Sequence, residues 1–70
     1  MIIKKIFKIT GMHCSSCAMN IDGELEDLGV KDVKTNYAKG ESEVEYDDAE
    51  INIEQIQKSI AKLGYTAVVE

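Results

Sequence analysis

The chain has 70 residues, of which 44% are hydrophobic and 30% charged, and thirteen acidic against eight basic side chains give a formal net charge of −5. That length allows one domain, which buries only about 60% of its unfolded surface and leaves no room for an elaborate active site around a large substrate. The hydrophobic fraction excludes a disordered chain, and the acidic balance argues against nucleic acid, whose phosphates reward clusters of Lys and Arg.

The acidic residues spread from Asp22 to Glu54 rather than forming a tail. Such a spread serves solvation first; electrostatic guidance toward a basic partner is the sharper alternative. The opening "MIIKKIF" is interrupted by two lysines and falls short of a secretory apolar region. No run approaches the ~20 apolar residues of a membrane span. The expected compartment is the cytoplasm, where thiols stay reduced, so two cysteines read as a metal or redox site sooner than as a structural disulfide.

In chain order, Ile2 to Ile9 is rich in Ile and Phe, with Phe7 and Ile9 on one face at period two, and predicts a strand. Gly11 interrupts it. From Ser15 to Leu28 the apolar residues Cys17, Ala18, Ile21, Leu25 and Leu28 recur at spacings of three and four. That stripe predicts an amphipathic helix with Asp22, Glu24, Glu26 and Asp27 on its wet side and Gly29 as its cap. Gly23 is a soft position within it, and Met19 falls off the stripe with no role. Val33, Thr35 and Tyr37 alternate with Lys34 and Asn36, "AKGE" turns the chain, and Val44 and Tyr46 alternate with glutamates: a hairpin with one buried face. A second helix starts near Asn52, with Gln55 placed to complete a capping box. Its stripe is Ile53, Ile56, Ile60 and Leu63, Gly64 ends it, and "TAVVE" is a last short strand. The order strand, helix, strand, strand, helix, strand, with one apolar stripe per helix, predicts an α+β ferredoxin-like sandwich: a four-stranded antiparallel sheet with both helices on one face. Residues 1–70 form this single domain.

Chemistry concentrates in "GMHCSSC", residues 11 to 17, which holds both cysteines and the one histidine of the chain. In this layout Cys14 falls on the loop after the first strand and Cys17 in the first turn of the first helix. A helix start offers unpaired N–H groups and a positive dipole end, and both favour thiolate, the metal-binding form. Gly11 gives the loop dihedrals closed to other residues. Two thiolates suit a soft ion content with low coordination, Cu(I) first. A closed structural Zn(II) site wants four ligands, more than two cysteines and one histidine supply. An unsaturated site admits an incoming thiolate before the first ligands leave, which suits a carrier. Two other readings stand beside it. A C-x-x-C pair at a helix start also serves dithiol oxidoreductases, though on a larger fold. Two inert packed cysteines fit poorly with a polar loop.

The residues "GMHCSSCA", the helix around Ile21, "GVKDVKTNYAKGESEVEYD" and "IQKSIAKLGY" together resemble the heavy-metal-associated domain family. That family comprises small copper chaperones and the metal-binding domains preceding the membrane part of P-type metal-transporting ATPases. The resemblance spans essentially the whole chain and implies no catalysis by the domain itself. It implies Cys14 and Cys17 as metal ligands, Met12 as a side chain tucked under the loop, and Tyr65 as an aromatic near the site. It also implies transfer of the metal to or from another C-x-x-C protein, chaperone or ATPase, by a monomer or a metal-bridged dimer. His13 occupies a variable position of the motif. It either points to solvent or adds a ligand for Zn(II), Cd(II) or Hg(II). Tyr65 either packs at a strand start or shields the sulfurs. Lys62 either compensates a negative bis-thiolate complex or favours its own helix C-terminus.

Overall fold

Alternation decides which way each strand faces. In β1 (Ile2–Thr10), Phe7 and Ile9 point inward and are buried, while Lys4, Ile6 and Lys8 face out. In β3 (Glu41–Asp47) the buried side is Ser42, Val44 and Tyr46, and the other side carries Glu41, Glu43, Glu45 and Asp47. Two strands with this pattern, laid antiparallel, make one apolar face and one wet face. The computed structural model describes residues 1–13 and 15–70. Its remaining elements are α1 (Ser15–Leu28), β2 (Asp32–Asn36), α2 (Ile53–Lys62) and β4 (Thr66–Val69).

All strand pairings are antiparallel, and the order across the sheet is β2-β3-β1-β4. This is the ferredoxin-like arrangement of two interlocked split β-α-β units. The helices set their stripes against the apolar face. Ile21 and Leu25 from α1 meet Ile56 and Ile60 from α2 over Phe7, Val44 and Tyr46 in one core. Fully burying residues of this size contributes roughly 1.5–3 kcal/mol each, most of what holds so small a domain.

The helix ends follow local chemistry. At the start of α2, Asn52 Oδ1 accepts from the Gln55 amide at 2.8 Å and Gln55 Oε1 accepts from the Asn52 amide at 2.9 Å, the reciprocal capping box. At the end of α1, Gly29 adopts φ +109°, and the Gly29 and Val30 amides both donate to the Leu25 carbonyl. A residue with a side chain would be strained there.

Two core features differ from the sequence reading. Tyr37 does not continue the inward face of β2; the strand ends at Asn36 and Tyr37 is 46% exposed. The cause is Asn36, whose Oδ1 accepts from the Lys39 amide at 3.1 Å while the Gly40 amide donates to the Tyr37 carbonyl at 3.2 Å, turning the chain early. Ile51, absent from the predicted stripes, is buried. It precedes the cap Asn52, the position from which an apolar residue staples onto the fourth helical residue, here Ile56 in the same core.

Candidate metal site

The segment between β1 and α1 is built from the bottom up. Gly11 has φ +104°, and a Cβ there would stand 3.4 Å from Tyr65 Cδ1 and 3.8 Å from the Gly64 carbonyl. Glycine is required there by the dihedral, and the tyrosine ring packs against it at contact distance. Met12 follows, half-buried and packed against the core. His13 is exposed. Cys14 lies outside the described residues.

Helix α1 begins at Ser15, and Cys17 is its third residue, half-buried at the point where the first turn meets the interior. Ala18 beside it is buried and anchors that turn to the core. No acidic residue lies in the first turn of α1, so the positive end of the helix dipole is not answered by a carboxylate from that turn. An electron-rich sulfur at this position is favoured by the same physics that draws anions to helix starts.

Tyr65 reaches the site from the other end of the chain. It follows α2 and is half-buried against the core, with its ring under Gly11. Lys62, in the last turn of α2, makes an ion pair with Glu24 of α1 at 3.4 Å. That partner is one that neither sequence reading of Lys62 contains, and it ties the end of α2 to α1. Among the described residues no group of three or more His, Cys, Asp or Glu side chains converges to hold a metal ion. A closed, protein-only cage is therefore not built from those residues.

Sequence reasoning missed one feature of α1. Asp22, assigned to the wet side, is half-buried, and its Oδ1 accepts from Thr35 Oγ1 at 2.6 Å. Thr35 Oγ1 also lies 3.0 Å from Ser42 Oγ, which is fully buried. This polar chain joins the second turn of α1 to the β2–β3 hairpin. The only signal is the Thr35–Ser42 cross-strand pairing, visible once the register is known.

Comparison with known proteins places the chain. The model of the heavy-metal-associated domain matches residues 6–66. A copper-exporting P-type ATPase of Bacillus subtilis is 42% identical over 64 residues, which are 90% of this chain and 8% of the ATPase. A zinc-transporting ATPase of Synechocystis is 42% identical over 60 residues, 84% of this chain and 8% of that protein. The copper chaperone CopZ of Enterococcus hirae is 34% identical over 68 residues, 96% of this chain and 99% of the chaperone. The chain thus spans under a tenth of those ATPases and nearly all of the chaperone. The Cu(I)-loaded N-terminal domain of a potential copper-translocating P-type ATPase from Bacillus subtilis superposes with a TM-score of 0.90 at 32% identity, covering 96% of this chain and 85% of that one. The chain belongs to the heavy-metal-associated domain family.

Proposed function

We propose that the domain carries Cu(I) between Cys14 and Cys17 and passes it to or from a second C-x-x-C protein by thiolate exchange. The observation that carries this reading is the place of Cys17, half-buried in a first helical turn that holds no carboxylate. Both cysteines are donated as thiolates, each proton leaving to solvent as the metal enters. A partner thiolate then adds as a third sulfur ligand and one of the original two leaves; the partner's second thiolate adds in turn and the remaining original one leaves, each freed sulfur taking up a proton from solvent. The ion stays Cu(I) throughout and no electron moves. Met12, anchored in the core, holds the loop, and Tyr65 beneath Gly11 limits water at the sulfurs. The copper ATPase and copper chaperone relatives support copper as the cargo. No helix among the described residues is long and apolar enough to cross a membrane. On this reading the domain acts as a cytoplasmic carrier or as the cytoplasmic metal-binding part of a transporter and performs no catalytic step of its own, a reading its copper chaperone and copper ATPase relatives support.

Competition against a Cu(I) chelator tests this. Replacing Cys14 and Cys17 by serine abolishes Cu(I) retention while the fold persists; unchanged retention refutes the assignment. One alternative has a specific observation behind it. His13 is exposed within the loop, and one relative is a zinc-transporting ATPase. In that reading His13 completes a Zn(II), Cd(II) or Hg(II) site. His13→Ala then costs divalent affinity and spares Cu(I); equal affinities before and after remove it.

A further inference from the structure

Gly23 lies inside α1, at a point where an added Cβ would meet nothing within 4 Å, so no close contact calls for glycine there. What it does is soften the helix, through the backbone freedom that glycine loses on folding. It divides α1 into residues 15–22, which carry Cys17, and residues 24–28. A side-chain tie falls on each side of it. Glu24 pairs with Lys62 of α2 at 3.4 Å. Asp22 Oδ1 accepts from Thr35 Oγ1 at 2.6 Å, and Thr35 Oγ1 lies 3.0 Å from the fully buried Ser42 Oγ.

The two ties are unequal. Lys62 is mostly exposed, and an ion pair of that kind holds little. The Asp22 bond is part-buried and has the length of a charge-assisted O–H···O⁻ bond. Thr35 has a single hydroxyl proton, and giving it to Asp22 leaves Ser42 as the donor of the second bond. The direction of the whole chain is thereby set. Apolar packing on the same side of the helix is slight. Ser15, Ala18 and Asp22 follow one another at helical spacing beside Thr35, and the first two are small. Non-directional contacts between small groups tolerate a slide or a turn of the helix, whereas a short hydrogen bond weakens steeply with misalignment.

We propose that the Asp22–Thr35–Ser42 chain is a positioning device for the metal site. It sets the first two turns of α1 against the β2–β3 hairpin and thereby fixes where Cys17 stands at the metal loop. Gly23 makes the device necessary, because the anchorage of residues 24–28 passes weakly through it. Asp22, Thr35 and Ser42 act through Cys17 and bind no metal themselves. The effect on the metal rests on the cysteine-pair reading above; the placement of the turns does not.

The variant Thr35→Val, Ser42→Ala removes both hydroxyls together, so neither is left buried without a partner and the fold is retained. In the metal-free protein, amide residual dipolar couplings of residues 15–22 then shift relative to those of the sheet, while those of residues 24–28 hold. Cu(I) retention against a chelator falls about tenfold, the low end for residues that orient metal ligands from outside. Asp22→Ala breaks the chain at its half-buried end and gives the same two effects. Thr35→Ser keeps the hydroxyl and leaves both readouts at their starting values. Asn52→Ala, which opens the capping box of α2, also moves neither, so lost stability alone is not the cause. Adding Gly23→Ala to the first variant recovers part of the Cu(I) loss, because a continuous helix passes on the hold of residues 24–28. Unshifted couplings in residues 15–22 overturn the proposal whatever the metal does. Shifted couplings with unchanged Cu(I) retention overturn the link to the site, and an undiminished loss beside Gly23→Ala overturns the part given to Gly23. Copper indifferent to serine at Cys14 and Cys17 refutes the ligand reading instead, and the metal-free couplings still decide the placement of the turns.

Discussion

The two helices begin in opposite ways. At α2, Asn52 and Gln55 satisfy two of the exposed backbone donors inside the chain, and Glu54 in the first turn answers the helix dipole. At α1, the first turn is Ser15, Ser16, Cys17 and Ala18, with no acidic residue among them. One start is closed by its own side chains and serves stability. The other carries no carboxylate in its first turn, which also holds the half-buried Cys17, and the proposed function uses that positive end to favour a thiolate. The lesson is that a domain built from two similar units can differentiate them at a single helix turn while the core beneath stays common.

That common core sets the largest effect. Leu25→Ala in α1 and Ile56→Ala in α2 each remove a fully buried side chain from the same cluster. Each loses about 3 kcal/mol in urea unfolding. A large loss for one and almost none for the other would show that the two units do not share a core.

The contrast between helix starts is tested by exchanging their characters. Asn52→Ala opens the capping box and costs about 1 kcal/mol of stability, with Cu(I) affinity unchanged. Ser16→Glu places a carboxylate at the α1 start. It costs no stability, because an acidic residue suits that end of a helix, but it repels the bis-thiolate complex and weakens Cu(I) binding in chelator competition. If both variants moved affinity, or neither did, the division of labour between the two starts would be wrong.

Smaller effects sharpen the picture. Gly23→Ala gives α1 a better helix former at a site where an added Cβ meets nothing within 4 Å. A gain of roughly 0.5–1 kcal/mol is expected in thermal unfolding. Tyr46 supplies a pH test of the sheet under both helices. Burial pushes its phenol above the usual range, and the nearby Asp48 charge adds to this. A pKa higher in the folded than in the unfolded state means stability is intact below about pH 10 and declines as pH rises through the folded value. Tyr46→Phe removes that alkaline loss in urea titrations at high pH and changes little at neutral pH.

Most of the fold was legible because its signals are local. The stripe Ala18, Ile21, Leu25 and the pair Asn52 and Gln55 each fix an element within a few residues, and the structure places both helices on those signals. Tyr37 was misread because period-two alternation says nothing about where an Asn side chain turns the backbone. The Asp22–Thr35–Ser42 chain and the Lys62–Glu24 pair were invisible because each joins elements distant in sequence. The site divides the same way. The cysteine spacing is readable in seven residues, whereas the packing of Tyr65 on Gly11 needed either the family pattern or the coordinates.

X-ray absorption of the Cu(I)-loaded protein, without added thiol, tests the central assignment most directly. Two sulfur neighbours for copper with no nitrogen or oxygen shell, and loss of that signal in the double serine variant of Cys14 and Cys17, is the predicted result. A copper environment of nitrogen or oxygen that survives both substitutions would contradict it.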